Sequence, residues 1–353
     1  MESMKKFEPD CRNIVNAANN REAERLPLYE HGFDSGVVEK IIGEPVTPLL
    51  GGSYADRVEA YRRISRCGIQ LGYDCIPFER NICRMIQDGR GLRGQASAII
   101  HTMADVENYP WEAKLPEYIK RFDQDYAALR EALPDGMKAV GGVGNGLFET
   151  IQDFVPFQEL AFLQADEPDV YEALWKKIGD LMSTLWKWAL ENHADCFAVC
   201  RFGDDLGFRS STLLQPDAIR KHIIPQYKRV IDLVHSYNKP FLLHSCGKIY
   251  DVMDDLIAAG IDAKHSNEDA IDTFDVWVNR YGGRIGNFGG IEMNIMTLGT
   301  PDEVKAYVRA LLPKIEGRGG VAIGTGNQIS PYTEPANWIA MTDAVREWRG
   351  ETV

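Results

Sequence analysis

A histidine and a cysteine stand two positions apart, at His244 and Cys246, directly after the apolar residues Leu242 and Leu243. In a β-strand, side chains two positions apart lie on the same face, so the imidazole and the sulfur would converge at the carboxyl end of the strand. Imidazole nitrogen and thiolate sulfur are both ligands of Zn²⁺ in proteins. The spacing therefore predicts a zinc site held by His244 and Cys246.

The elements that position this pair follow a regular pattern. Short apolar runs alternate with amphipathic segments, which is typical of parallel strands joined by crossover helices. Thr300 and Glu303 form a capping box at the start of one helix, and Pro225 is expected to bend or interrupt the helix predicted over 216–236. The predicted strands lie near residues 26–31, 73–78, 138–143, 196–202, 240–244, 262–265, 284–288 and 320–324. Eight such strands predict an α/β fold, a (β/α)8 TIM barrel.

Two stretches do not fit this repeat. Residues 1–24 are interpreted as an N-terminal extension, and residues 87–111 as a long insertion after the second predicted strand. Long loops at the carboxyl rim of a barrel often shape the substrate pocket. Since no linker rich in proline, glycine and serine interrupts the pattern, the sequence predicts a single barrel domain over residues 25–353.

Catalytic groups of such a barrel gather at the carboxyl ends of its strands, although they are distant in sequence. The predicted strand ends carry carboxylates, imidazoles, an arginine and an amide, which together predict a polar pocket for a metal ion and a small molecule. Besides the His-x-Cys pair, these residues are Glu30, His31, Glu149, Arg201, Asp205, His265 and Asn327.

The same residues have ordinary structural interpretations. A lone His-x-Cys can be a core thiol beside a neutral histidine that hydrogen-bonds to the backbone. Asp205 lies in a turn-like sequence, and Glu149 begins a helical region, where a carboxylate is favoured by the helix dipole. His31 and His265 could form hydrogen bonds within a polar rim.

Three segments of the chain resemble the uroporphyrinogen decarboxylase family. They cover residues 202–207, 225–228 and 244–247 and read Phe-Gly-Asp-Asp-Leu-Gly, Pro-Gln-Tyr-Lys and His-Ser-Cys-Gly. The resemblance extends from about Arg25 to Trp348 and implies a single barrel. The family includes porphyrinogen decarboxylases and cobamide-dependent methyltransferases that act with corrinoid proteins.

The decarboxylase branch is the weaker match. Its members carry an arginine-rich segment after the first strand, where guanidinium groups bind the carboxylates of the substrate. Here no arginine lies between Arg25 and Arg57. Asp205, however, stands near the position where the decarboxylases keep an aspartate.

The methyltransferase branch holds zinc with a His-x-Cys pair on strand five and a further cysteine near the end of strand eight. His244 and Cys246 match the pair, whereas residues 324–330 contain no cysteine and Asn327 replaces it. One ligand therefore remains to be found, and zinc also accepts oxygen and nitrogen. The candidates, in order, are Glu149, Asp205, His265 and His31.

The resemblance implies a zinc-assisted, corrinoid-dependent methyltransferase. Such an enzyme would move a methyl group between a small O-, N- or S-methyl compound or a thiol and a corrinoid, a cobalamin-type cofactor, on a partner protein docked at the barrel mouth. Zinc would act as a Lewis acid or lower the pKa of the thiol. The predicted catalytic residues are Asp205, Glu149 and His31, and the predicted substrate-binding residues are Glu30, Arg201, His265 and Asn327.

Two alternatives are compatible with the same residues. One is a uroporphyrinogen-type decarboxylase that needs neither metal nor cofactor, in which Asp205 stabilises positive charge beside the leaving carboxylate. The other is a non-catalytic relative that binds a small molecule or a corrinoid and has lost the third zinc ligand. Metal content separates the methyltransferase from both.

Composition limits the partners further. The formal net charge of −13 disfavours nucleic acid and anionic membranes, because both attract basic surfaces. The scattered cysteines, with Cys196 and Cys200 interpreted as core thiols, suggest no disulfide framework. The sequence also has no apolar run of about 18 residues and no apolar leader. We therefore expect a cytoplasmic protein with a small-molecule substrate, and the family resemblance implies a corrinoid protein as partner.

Overall fold

Seven parallel strands form one sheet in the computed structural model of the protein, which describes residues 7–91 and 93–353. Each strand pairs with the next one in sequence, and the helices between them complete a TIM-barrel-like α/β fold. Seven of the predicted strands are thereby confirmed. They are β1 (Cys75–Asn81), β2 (Lys138–Gly144), β3 (Phe197–Gly203), β4 (Phe241–His244), β5 (Ala263–His265), β6 (Gly286–Ile291) and β7 (Val321–Thr325).

Helices connect the strands and pack on the sheet. Their buried faces form one large apolar cluster with the strands β1 to β4 and a second one around β6 and β7. No helix within residues 7–91 and 93–353 has the length and apolar character needed to cross a bilayer. The helices are α1 (Arg12–Ala18), α2 (Ser35–Ile42), α3 (Thr47–Leu50), α4 (Tyr54–Leu71), α5 (Met103–Asn108), α6 (Lys114–Ala132), α7 (Leu147–Ile151), α8 (Phe157–Asp166), α9 (Pro168–His193), α10 (Pro216–Ala218), α11 (Ile224–Ser236), α12 (Tyr250–Ala259), α13 (Phe274–Tyr281), α14 (Met293–Leu298), α15 (Pro301–Ile315) and α16 (Pro335–Trp348).

Two local predictions about the helices are confirmed. At the start of α15, Thr300 N–H donates to Glu303 Oε2 at 2.8 Å, while Glu303 N–H donates to Thr300 Oγ1 at 3.3 Å. The helix predicted over 216–236 is interrupted, because Pro225 lies in the first turn of α11 directly after a π-helical turn, Ile219–Ile223. Proline lacks the N–H that a continuous helix would use at this position.

The predicted first strand, over residues 26–31, is wrong as a regular strand. In the structure it is an isolated parallel bridge between Leu28 and Ile323 of β7. Further along β7, the N–H of Thr325 donates to the carboxylate of Glu30 at 2.9 Å instead of to a backbone carbonyl of the neighbouring segment. A side-chain acceptor therefore replaces the backbone ladder here, and the described sheet has seven strands instead of eight.

The register of the sheet brings three strand ends to one level. Gly203 of β3 pairs with His244 of β4, which pairs with His265 of β5. Residues at the same level in a parallel sheet point to the same side. A Cβ atom at Gly203 would lie 3.3 Å from His244 Cδ2, so the missing side chain leaves room for the imidazole.

The helix α1 covers the opposite end of the strands. A Cβ atom at Gly286, the first residue of β6, would come within 2.3 Å of Ala17 O, so the helix backbone lies directly on the sheet there. Ile14 is fully buried among the interior side chains Val199 and Leu242. The domain boundary before residue 25 and the insertion over 87–111 stay predictions.

Candidate metal centre

Three of the predicted residues converge at the carboxyl ends of β3 and β4. His244 Nε2 lies 3.5 Å from Cys246 Sγ and 3.7 Å from Asp205 Oδ1. The three ligand atoms all lie within 4.8 Å of one another. The last residue of β4 and the short segments that follow β3 and β4 thus place an imidazole, a thiol and a carboxylate around a single point.

The spacing of these atoms suits a tetrahedral zinc ion. With a Zn–N distance of about 2.05 Å and a Zn–S distance of about 2.3 Å, two such ligands stand about 3.6 Å apart. The separation of 3.5 Å between His244 Nε2 and Cys246 Sγ agrees with this value. Three protein ligands leave the fourth position to water or substrate, as in catalytic zinc sites. The side chain of Asp205 is 42% exposed, so solvent reaches the centre from that side.

The sulfur of Cys246 has two further polar neighbours. Ser266 Oγ lies 3.6 Å from Sγ, and Asn327 Nδ2 donates to Sγ at 3.6 Å. Burial, followed by the charge of Asp205, raises the pKa of the Cys246 thiol above its ordinary value. A divalent cation would lower that pKa and produce the thiolate that zinc binding requires.

His265 lies against the side of His244 that faces away from the sulfur. The Nδ1 atoms of the two rings are 2.7 Å apart, and His265 Nε2 lies 3.0 Å from the backbone oxygen of Thr325. Burial lowers the pKa of His244 well below its usual range and the pKa of His265 to about 3. Both imidazoles are therefore neutral, which is the form of histidine that binds metals.

His31 stacks on one face of the His244 ring. The ring centroids are 3.7 Å apart and the planes differ by 24°. His31 Nδ1 accepts a short hydrogen bond from Arg201, and its Nε2 lies 3.6 Å from Glu79 Oε2. The nitrogens of His31, His244 and His265 also lie within 4.8 Å of one another, but both ring nitrogens of His31 already face other partners. The geometry therefore favours His31 as a support of His244 over a role as ligand.

Arg201, which was predicted to bind substrate, is fully buried on β3. Its Nη2 pairs with Glu79 Oε2 at 2.7 Å, and its Nη1 donates to the backbone oxygen of His31 at 2.9 Å. Its guanidinium is therefore engaged inside the protein. Sequence reasoning did not single out Glu79, although it directly follows the predicted strand over 73–78 and so stood at a predicted strand end.

Glu149 stands beside the centre. Its Oε1 accepts from the N–H of Asp205 at 3.4 Å, and its Oε2 accepts a short hydrogen bond from Asn145 Nδ2. Burial, followed by the charges of Asp205 and Asp204, raises the pKa of Glu149 well above its ordinary value. Among the residues that the structure describes, Glu149 belongs to neither group of candidate metal ligands. The geometry therefore favours Asp205 over Glu149 as the candidate for a third ligand.

Asp204 is a second residue that the sequence did not single out. Its carboxylate caps the N-terminus of α7 by accepting from the N–H groups of Phe148 at 2.9 Å and Glu149 at 2.7 Å, and it accepts a short hydrogen bond from the Tyr227 hydroxyl. Burial raises the pKa of Asp204 to about 6. The adjacent carboxylates thus divide their roles, because Asp204 fixes α7 and Asp205 faces the metal centre.

Glu30, also predicted to bind substrate, is buried where residues 26–31 lie beside β7. Its Oε1 accepts from the N–H of Thr325 at 2.9 Å, and its Oε2 accepts from the Thr325 hydroxyl at 2.5 Å. Both carboxylate oxygens are thus occupied by one residue of the strand. The placement favours a structural role for Glu30 over the predicted contact with substrate.

Comparisons with known proteins agree with this architecture. A sequence model of the family described as uroporphyrinogen decarboxylase (URO-D) matches residues 95–348. A search of the curated proteins gives no match. A solved methyltransferase from Methanosarcina mazei superposes with a TM-score of 0.74 at 17% sequence identity, over 97% of this chain and 99% of that chain. At this identity, the similarity shows a shared fold.

Two more distant structures are similar over part of the fold. A B12-independent methionine synthase from Shewanella sp. W3-18-1 gives a TM-score of 0.46 at 13% identity, over 64% of this chain and 67% of that chain. A D-psicose 3-epimerase from Clostridium cellulolyticum H10 gives a TM-score of 0.39 at 12% identity, over 85% of this chain and 94% of that chain.

Proposed function

The chain belongs to the uroporphyrinogen decarboxylase family, and we propose that within it the protein is a zinc-assisted, corrinoid-dependent methyltransferase. The proposed reaction moves a methyl group between a small O-, N- or S-methyl compound or a thiol and a corrinoid on a partner protein. One observation carries the proposal, which is the convergence of His244 Nε2, Cys246 Sγ and Asp205 Oδ1. The alternative decarboxylation needs no metal, so such a set of ligand atoms favours methyl transfer.

The charges of the three ligands support the assignment of zinc. A Cys246 thiolate and the Asp205 carboxylate together balance a Zn²⁺ ion, and neutral His244 adds no charge. Asp205 thus supplies the negative charge that a second cysteine supplies in the methyltransferases which this chain resembles. Its Oδ1 accepts from the N–H of Cys246 at 2.8 Å, so the backbone orients this ligand before an ion binds.

The chain's own residues bind and orient the reactants. When bound, zinc supplies Lewis acidity, which withdraws charge from the heteroatom of a methyl donor or keeps an accepting thiol ionised. His31 and His265 cover the buried sides of His244. The exposed side of Asp205 is the approach that remains for the substrate and the corrinoid of a partner.

The surroundings of Arg201 argue against a porphyrinogen as substrate. Recognition of several carboxylates requires guanidinium groups that are free to form bidentate hydrogen bonds. Arg201 instead pairs with Glu79 at 2.7 Å and is fully buried. A tetrapyrrole carboxylate would have to displace this internal ion pair and leave Glu79 without its partner.

Metal analysis tests the centre directly. Protein purified without chelators and loaded with zinc should hold about one ion per chain in mass spectrometry of the metal, and Cys246→Ser should lose most of it. Cys11→Ser is the matched control, because Cys11 is a partly buried thiol at the start of α1, at the other end of the strands. A wild-type protein that binds no zinc would contradict the proposal.

A methyl-transfer assay tests the reaction itself. With methylcobalamin as donor and a series of small thiols as acceptors, zinc-loaded wild type should accelerate loss of the methyl–cobalt bond, which is followed by visible absorbance. Zinc-loaded Cys246→Ser should not. If both proteins instead convert uroporphyrinogen at equal rates, the protein is a decarboxylase and the proposal is overturned.

A further inference from the structure

A chain of hydrogen bonds runs from the end of β7 through β5 to the end of β4. The backbone oxygen of Thr325 lies 3.0 Å from His265 Nε2, and His265 Nδ1 lies 2.7 Å from His244 Nδ1. His265 and Thr325 are fully buried, and His244 is 4% exposed. The last atom in this direction is His244 Nε2, which faces Cys246 Sγ and Asp205 Oδ1.

The chemistry of the first acceptor fixes the positions of the protons. A carbonyl oxygen only accepts, so His265 Nε2 must carry a hydrogen. A second hydrogen on His265 Nδ1 would make a cation of a fully buried side chain whose ring nitrogens face the Thr325 oxygen and the His244 ring, which is costly. His265 Nδ1 therefore has a free lone pair and accepts from His244 Nδ1–H. His244 Nε2 is left without a hydrogen and can bind a metal.

The surroundings of His244 keep its ring in this orientation. His31 stacks on it at a centroid distance of 3.7 Å, and Gly203 approaches the Cδ2 edge without a side chain. His265 itself packs against Tyr29, with ring centroids 4.9 Å apart. Rotation of either imidazole would break the contact between the two Nδ1 atoms.

We propose that His265 is a positioning residue, which holds His244 in the Nδ1–H tautomer so that His244 Nε2 points its lone pair at the metal centre. The inference rests on the proposed function for the identity of the ion, whereas the tautomers themselves do not depend on it. It revises the sequence-based prediction that His265 contacts the substrate.

Nuclear magnetic resonance reads the tautomers without metal or activity. In metal-free wild type labelled with ¹⁵N-histidine, long-range ¹H–¹⁵N spectra should show His244 with its hydrogen on Nδ1 and His265 with its hydrogen on Nε2. His244→Gln and His265→Gln assign the two spin systems. A hydrogen on His244 Nε2 in the metal-free protein would overturn the proposal.

Two substitutions separate positioning from packing. His265→Asn keeps an oxygen where Nδ1 stands and can accept from His244, whereas His265→Gln keeps a donor for Thr325 and loses that acceptor. We expect His265→Gln to weaken zinc binding roughly 10- to 100-fold, as for other partners of metal-bound histidines, and His265→Asn to restore most of the affinity. Competition with a chromogenic chelator gives the affinities, and His101→Asn, in an exposed loop, is the control.

The outcomes distinguish this inference from the proposed function. If the His265→Gln and His265→Asn variants bind zinc equally well, and if both give the wild-type absorption spectrum when loaded with Co²⁺, the positioning role is wrong while the zinc site stands. If wild type binds no zinc but shows the expected tautomers, the proposed function fails and the hydrogen-bond chain is retained.

Discussion

Two carboxylates near His244 differ in how they could complete a metal site. Asp205 Oδ1 lies 3.7 Å from His244 Nε2, whereas Glu149 Oε1 accepts from the backbone N–H of Asp205 at 3.4 Å. Asp205→Asn removes the charge and keeps an oxygen that can accept from Cys246 N–H. We expect it to weaken zinc binding at least about tenfold, since even indirect partners of a metal site contribute that much.

Glu149→Gln is the matched control for this substitution. Its amide oxygen can still accept from Asp205 N–H, so zinc affinity measured by chelator competition should stay within about twofold of wild type, which is a small change in binding free energy. If Glu149→Gln loses zinc and Asp205→Asn keeps it, the third ligand is Glu149, the candidate that the sequence placed first.

Asn327 offers a second test at the scale of a single residue. Its Nδ2 lies 3.6 Å from Cys246 Sγ, and the resemblance to the methyltransferase branch predicts a cysteine near this position. Asn327→Cys should add a thiolate ligand and tighten zinc binding at least about tenfold, or about 1.4 kcal/mol. Asn327→Ala, which only removes the amide, should leave the affinity within about twofold of wild type. Equal affinities for the Cys and Ala variants would place residue 327 outside the reach of the ion.

The sequence singled out the His244 and Cys246 pair but not most of the residues that surround it. His244 and Cys246 could be found because a spacing of two at the end of a predicted strand is a local pattern of the sequence. The contact between His244 and His265 depends on the register of β4 against β5, which no local pattern encodes. The sequence singled out Asp205 but not Asp204, whose carboxylate caps α7 through a contact that only the fold creates.

At the scale of elements, the seam between residues 26–31 and β7 depends on the buried carboxyl group of Glu30. Burial raises the pKa of Glu30 from 4.5 to about 8, although hydrogen bonds from Thr325 partly oppose the shift. Between these values the folded protein retains a proton that the unfolded chain releases. The free energy of unfolding should therefore fall as pH rises through this window, by at most about 1.4 kcal/mol per pH unit.

Glu30→Gln should remove this dependence, because glutamine accepts from the Thr325 N–H and does not titrate. Urea unfolding midpoints of both proteins, measured between pH about 5 and about 8, should show wild type losing stability relative to Glu30→Gln. If the urea unfolding midpoints of the two proteins change with pH by the same amount, Glu30 has the same pKa in the folded and unfolded chain.

The elements themselves were predictable where the signal is continuous. Seven strands follow from the alternation of short apolar segments with amphipathic ones, and the interruption at Pro225 follows from the missing N–H of proline. The segment over 26–31 also reads as a strand, yet the Glu30 side chain takes a hydrogen-bond position that a backbone carbonyl would occupy. Such competition between side chain and backbone is visible only once the fold brings Glu30 to Thr325.

At the scale of the whole molecule, the candidate metal centre and the helix α1 lie at opposite ends of the strands. The candidate metal centre stands at the carboxyl ends, where loops can vary without disturbing the sheet. At the amino ends, α1 seals the interior with Ile14, and the N–H of Asp10 donates to Asp74, directly before β1, at 2.7 Å. This arrangement predicts that changes at one end leave the other unaffected.

Ile14→Ala tests this separation. Ile14 is completely buried, and a large-to-small substitution at such a site costs about 2–5 kcal/mol of the free energy of unfolding. Zinc affinity, measured where both proteins are folded, should nevertheless remain within about twofold of wild type. Val15→Ala in the same helix, at a partly buried position, should cost less than Ile14→Ala. If Ile14→Ala weakens zinc binding in proportion to its loss of stability, α1 and the candidate metal centre belong to one cooperative unit. In that case, the packing at the amino ends of the strands affects the ligand positions at their carboxyl ends through the interior of the barrel.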